Sequence, residues 1–83
     1  MEKKEYKLYF RDSRDRRREI GCFESTESDA LTRAYERIHA FCDERGFRIY
    51  YSRRWNTPDY SIFDVGSHTE FFHLEPPVPM TAE

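Results

Sequence analysis

Past Arg54 this chain has no lysine and no arginine. All fourteen of its Lys and Arg residues lie in residues 1–54, and residues 55–83 carry the carboxylates Asp59, Asp64, Glu70, Glu75 and Glu83. The other eleven carboxylates lie in the first part, which is therefore formally +3 while the second is −5; the net charge of −2 conceals this. An uneven charge distribution biases which surface meets which partner. The net acidity also counts against a uniformly basic surface, the usual footprint of a nucleic-acid-binding domain.

Cysteine is scarce. Cys22 and Cys42 are too few for a disulfide framework and are not spaced as metal ligands. In a reducing compartment both are expected to be free thiols, and both fall on expected core faces, where a cysteine is buried and inert. Long apolar runs are absent, which excludes a membrane-spanning helix, since one needs at least ~18 such residues. The opening MEKKEYKLYF is charged but has no apolar stretch behind it, so no signal peptide is expected and a cytoplasmic location follows as the expectation.

What is present is an aromatic-rich chain of one-domain size. Eighty-three residues bury roughly 60 % of their unfolded surface, which sets a modest stability. Aromatics make up 17 % of the residues, and each buries a large area, which offsets the short length. The hydrophobic residues are patterned rather than scattered, which argues against disorder.

Alternation over Glu5–Phe10 predicts a strand with Tyr6, Leu8 and Phe10 on one face. A polar connector, Arg11–Arg16, leads to a second strand, Arg17–Phe23, with Ile20 and Cys22 inward, so the two form a hairpin. Thr26 suits a helix N-cap, with Glu27 and Asp29 in the first turn, where carboxylates complement the helix dipole. Leu31, Ala34, Tyr35, Ile38, Phe41 and Cys42 then recur at helical spacing as one stripe. Gly46 suits a left-handed cap, and Phe47 can fold back on the last turn.

Three further strands are expected, over Phe47–Arg54, Tyr60–Val65 and Thr69–Leu74, separated by the Asn56–Asp59 turn and by Gly66-Ser67. The order β-β-α-β-β-β predicts an α+β two-layer sandwich, one long helix on a mostly antiparallel sheet of four or five strands. Residues 1–75 are read as a single α+β domain. Residues 76–83, rich in proline, are read as an extended or disordered tail with no partner for its backbone.

A two-layer fold leaves one sheet face open. If Leu8, Ile20, Ile49 and Phe72 face the helix, the open face carries Lys7, Tyr9, Glu19, Phe23, Arg48, Tyr50, Phe71 and His73, with Ile62 or Phe63 from the fourth strand. An ordinary solvated face would be Thr, Ser, Lys and Glu, so an aromatic patch here calls for a partner. It could stack on another copy, take bases of single-stranded nucleic acid, or be covered by the late strands or the tail. Tyr9, Phe23, Arg48, Tyr50, Phe71 and His73 are the candidate interaction surface.

The run RDSRDRRRE, Arg11–Glu19, could grip phosphates, but Asp12, Asp15 and Glu19 neutralise it locally, so a solvated, salt-bridged loop is the simpler reading. Arg14, Arg16, Arg17, Arg18, Arg53 and Arg54 are the candidate anion contacts. Trp55, beside the last two, is a residue type enriched at interface hot spots. His68 and Glu70 share a strand face that His73 does not, so with Asp64 they do not converge on a metal. No nucleophile–base arrangement or phosphate loop is legible, and neither cofactor nor metal is expected.

The segment GCFESTESDALTRAYERI, Gly21–Ile38, resembles the strand-to-helix passage of AP2-type and phage-integrase arm-binding DNA domains, which share a Gly-x-Phe-x-Thr step into a helix with Ala-Tyr. Those families place three strands before the helix where this chain has room for two, so no DNA-reading residue is carried over. The expectation is a small non-enzymatic interaction domain that binds a protein partner or self-associates through its aromatic sheet face. Nucleic-acid binding through the Arg-rich hairpin is the alternative.

Overall fold

The computed structural model describes residues 2–66 and 69–80. The elements are β1 (Lys4–Arg11), β2 (Arg17–Ser25), α1 (Glu27–Arg45), β3 (Arg53–Asn56), β4 (Ser61–Asp64) and β5 (Phe71–Glu75). The five strands form one antiparallel sheet in the order β2-β1-β5-β4-β3, and α1 covers one face of it, an α+β fold. The last strand thus lies between the first and the fourth. This brings the acidic end of the chain beside the basic beginning: Glu75 pairs with Arg17, and Asp64 with Arg53 at 2.8 Å.

The helix forms where its apolar residues repeat at helical spacing. Ala30, Ala34, Ile38, Phe41 and Cys42 are buried, while Leu31 and Tyr35 pack at the margin of the core. Thr26 is the N-cap by backbone geometry, its carbonyl accepting from the Asp29 and Ala30 N–H groups, without a side-chain cap bond. Gly46 closes the other end at φ 71°, and the Phe47 N–H donates to the Cys42 carbonyl at 2.8 Å. A non-glycine residue would be strained at that φ. Opposite the helix, Leu8 pairs with Leu74, and Phe10 with Phe72, which pairs in turn with Phe63. Phe10, Phe41 and Phe72 pack ring on ring with centroids 4.8–5.8 Å apart.

Three expectations are corrected. First, Cys22 is exposed, not inward. The β1–β2 ladder shifts by one residue, so that Leu8 faces Gly21 but Tyr9 faces Glu19, leaving Ile20 as a bulge. An extra residue reverses the alternation: Gly21 and Phe23 turn to the helix side and Cys22 to the other. The Ile20 carbonyl, out of register, accepts from Arg37 Nε of the helix at 2.5 Å. Arg37 lies across Gly21, where an added Cβ would sit 3.1 Å from its Cγ.

Second, the third strand is Arg53–Asn56 rather than Phe47–Arg54. The turn closed by the Thr57 N–H to the Tyr60 carbonyl sets Arg53–Asn56 against Ser61–Asp64. Past Asp64 the chain turns at Gly66, so residues 47–52 have no continuing strand to pair with; after the Phe47 cap bond they are tied down by the Tyr50 N–H to the Val65 carbonyl and by the Tyr51 hydroxyl donating to Asp64 Oδ2.

Third, the backbone beyond Glu75 does find partners. Val78 is fully buried in the core. Its N–H donates to Ser61 Oγ at 2.9 Å, and its carbonyl accepts from Arg54 Nη1 and Asn56 Nδ2, both at 2.7 Å. Ser61 in turn donates to Asn56 Oδ1 at 2.7 Å. Polar side chains on the helix side of β3 and β4 therefore take up backbone groups that the prolines cannot place in a ladder.

Candidate interaction face of the sheet

The face away from the helix stays open, because the segment after β5 docks on the helix side. Cross-strand register builds this face. Tyr9 faces His73, His73 faces Ile62, and Ile62 faces Trp55, so one row of mostly apolar side chains runs across four strands. Beside it, Arg11 faces both Arg17 and Phe71, and Arg53 faces Asp64. Ile62 rather than Phe63 is thus the fourth strand's contribution; Phe63 is buried under the helix.

Arginines lie over these rings. The Arg17 guanidinium sits 4.1 Å from the Tyr9 ring centre and 5.7 Å from that of Tyr60. Arg11 lies 5.0 Å over Phe71, and Arg53 5.8 Å over Trp55. Each is also paired with a carboxylate: Arg17 with Glu75, Arg11 with Asp15 at 2.6 Å, and Arg53 with Asp64 at 2.8 Å. A cation held by both a ring and a carboxylate is positioned rather than free. Between Trp55 and Tyr60 lies a depression of about 430 Å³, walled by Arg11 and Arg17 and floored by Ile62, Phe71 and His73.

Two titratable groups are set by this packing. His73 is only 4 % exposed, with the Tyr60 ring stacked 4.1 Å above it. Burial, helped by the positive charges of Arg17 and Arg11, lowers its pKa to about 4, so the imidazole is neutral at pH 7. Its Nδ1 is buried without a hydrogen-bond partner among the described residues. Asp64 is the opposite case. Burial alone pushes its carboxyl up, but hydrogen bonds from Arg53, the Gly66 N–H and Tyr51 outweigh that and hold it below the ordinary value.

The sequence-based surface is brought together in part. Tyr9, Phe71 and His73 lie on the open face. Phe23 does not: the bulge at Ile20 turns it to the helix side, where it stacks on Tyr6 at 5.8 Å. Arg48 and Tyr50 are off the face because residues 47–52 form no strand. Tyr50, 70 % exposed, lies against Gly66 and has Arg48 6.0 Å from its ring.

The six candidate anion contacts scatter. Arg17 and Arg53 are on the open face, while Arg54 holds the Val78 carbonyl on the helix side. Arg14 is exposed in the hairpin loop, Arg16 pairs with Asp12 at 3.1 Å, and Arg18 faces Phe10 on the helix side. Asp12 organises this loop by accepting from the Arg14 and Arg16 N–H groups, which lowers its pKa.

Sequence reasoning missed Tyr60 and Arg11. The available signal was parity: Tyr60 is two residues before Ile62, and Arg11 two after Tyr9. Ser67 and His68 of the considered turn and histidine group lie outside the described residues. Among the described residues, no three His, Cys, Asp or Glu gather as a metal site, and no helix is long and apolar enough to cross a membrane. No protein-family model, curated protein or solved structure matches this chain.

Proposed function

We propose that this chain is a small non-enzymatic interaction domain that self-associates through the open face of its sheet. One observation carries the reading: the row Tyr9–His73–Ile62–Trp55, in register across four strands, is bordered by arginines already balanced by carboxylates. An apolar centre with a charged border, rich in Tyr, Trp and Arg, is the anatomy of a protein interface. Balanced arginines are poor ligands for a polyanion, because a phosphate must first displace the internal carboxylate. A face with both signs is instead complementary to itself, since an isologous dimer sets the cations of one copy against the carboxylates of the other.

Size permits it. The molecule measures 36 × 24 × 22 Å, so a broad side is comparable with the roughly 800 Å² that each partner of a standard interface buries. Light scattering across a concentration series tests the proposal. The wild-type chain is expected to form a dimer that Trp55→Ser abolishes and Tyr50→Ser leaves intact. A chain that stays monomeric at high micromolar concentration contradicts self-association. The nucleic-acid alternative has less support, because its arginines lie on both faces.

A further inference from the structure

On the helix side, two cavities meet where the β1–β2 hairpin approaches the C-terminal end of α1. The first, of about 400 Å³, is lined by Arg16, Arg18 and Arg45 and, at its edge toward the open face, by Arg17, with Asp12 a counter-charge on the hairpin. The second, of about 330 Å³, is lined mainly by apolar groups, among them Tyr50, Val65 and Phe72. Phe10, Phe47 and Glu70 border both. Phe47 is 40 % exposed and Tyr50 70 %, so two aromatic rings of this lining remain available to a ligand.

We propose that this bipartite notch binds a nucleotide. The chemistry of each part selects one part of the ligand. Arg16 is engaged by Asp12, but Arg18 and Arg45 have no ion-pair carboxylate among the described residues. This sets them apart from the arginines of the open face. Two unbalanced guanidiniums lining one cavity suit a phosphate, which they can chelate with paired N–H donors.

The C-terminal dipole of α1 opposes an anion, with a charge equivalent to about −0.5. The lining also carries the Asp12 and Glu70 carboxylates, but its four arginines, Arg16, Arg17, Arg18 and Arg45, leave the cavity positive against both and the dipole. The apolar part, walled by Phe47 and Tyr50, suits a planar base, and stacking a base on an aromatic ring is worth about 1–3 kcal/mol. Glu70 stands at the divide, where the ribose would lie, and a carboxylate there accepts hydrogen bonds from ribose hydroxyls. A phosphotyrosine shares the ring and the phosphate but has no donor at that point, which favours the nucleotide.

The test is titration of the full chain with adenosine 5′-monophosphate, phosphotyrosine and inorganic phosphate, followed by amide chemical shifts. The monophosphate is expected to bind about tenfold more tightly than inorganic phosphate and to shift the amides around Arg18, Arg45 and Phe47. An Arg18→Ala/Arg45→Ala chain keeps its fold, since both side chains are exposed, and should lose that binding. Glu70→Gln should weaken the monophosphate but not phosphate. Trp55→Ser, on the opposite face, should bind it unchanged, so failure here is separable from failure of self-association. No monophosphate binding, equal affinity for inorganic phosphate, or undiminished binding by the double variant overturns the proposal. Equal affinity for phosphotyrosine overturns the assignment to a nucleotide.

Discussion

The two faces of this sheet are both built on aromatic rings, and they finish those rings differently. On the covered face, Phe10, Phe63 and Phe72 meet other rings and the helix, and the packing is closed. On the open face, Trp55 meets Phe71 edge-on and Tyr60 stacks on His73, but the outermost layer over Tyr9, Phe71 and Trp55 is the guanidiniums of Arg11, Arg17 and Arg53. Rings against rings exclude water and supply stability. Rings under arginines shield part of their surface while leaving a layer that a second surface can displace or extend. The contrast is between a core and an unfinished core.

Mutations on the two faces should act differently. Phe72→Ala removes a buried ring touching Phe10 and Phe41 and should cost about 3–5 kcal/mol in urea unfolding. A cost below about 1 kcal/mol would mean that the covered face is not the core. Asp64→Asn keeps the shape but removes the charge that accepts from Arg53, Tyr51 and Gly66. It should cost about 1–3 kcal/mol, because a buried acceptor set is left mismatched.

Acid should act on His73 before it acts on Asp64. The folded imidazole titrates near 4 and the unfolded one near 6.5, so the unfolded chain takes up the proton first. Stability is therefore expected to hold above pH 6.5 and to fall between 6.5 and 4. His73→Gln should remove that limb of the curve, and an unchanged limb would place the effect elsewhere. The Asp64 contribution, whose folded pKa is depressed below 3.8, is lost only at still lower pH.

Trp55→Ser should have the smallest effect on the isolated domain, about 1 kcal/mol, because Trp55 is 40 % exposed. Its effect should appear in association instead. A large loss of monomer stability would make Trp55 a core residue and erase the difference between the faces.

Much of this could be read from the sequence because periodicity records burial. The helix, its Gly46 cap and the first hairpin follow from spacing alone. So does the side of the sheet on which Tyr9, Phe71 and His73 lie, where alternation is unbroken; that Tyr60 buries His73 there does not. It failed where one residue changed the count. The bulge at Ile20 turned Phe23 inward and Cys22 outward, and nothing in the composition of RREIGCFES marks which residue is extra.

Pairing partners were also invisible. Phe47–Arg54 alternates like a strand, but a strand needs a neighbour, and β4 ends at Asp64. Val78 is a lone apolar residue among prolines; its burial depends on Ser61, Asn56 and Arg54 meeting it from other strands. The divide in charge at Trp55 also changes meaning. Placing β5 beside β1 lets Glu75 reach Arg17, so much of the polarity along the chain cancels in space.

A spin label on Cys22 reads out whether the open face meets a second copy. This thiol is exposed and sits opposite Lys7, beside the aromatic row, whereas Cys42 is buried. In a mixture of spin-labelled chain and isotope-labelled Cys22→Ser chain, broadening that passes between molecules reports their contact. Broadening is expected of Tyr9, Ile62 and Trp55 and not of Thr32 or His39, which are exposed on the helix. Broadening confined to the helix side, or none at concentrations where a dimer sediments, would contradict self-association through the open face.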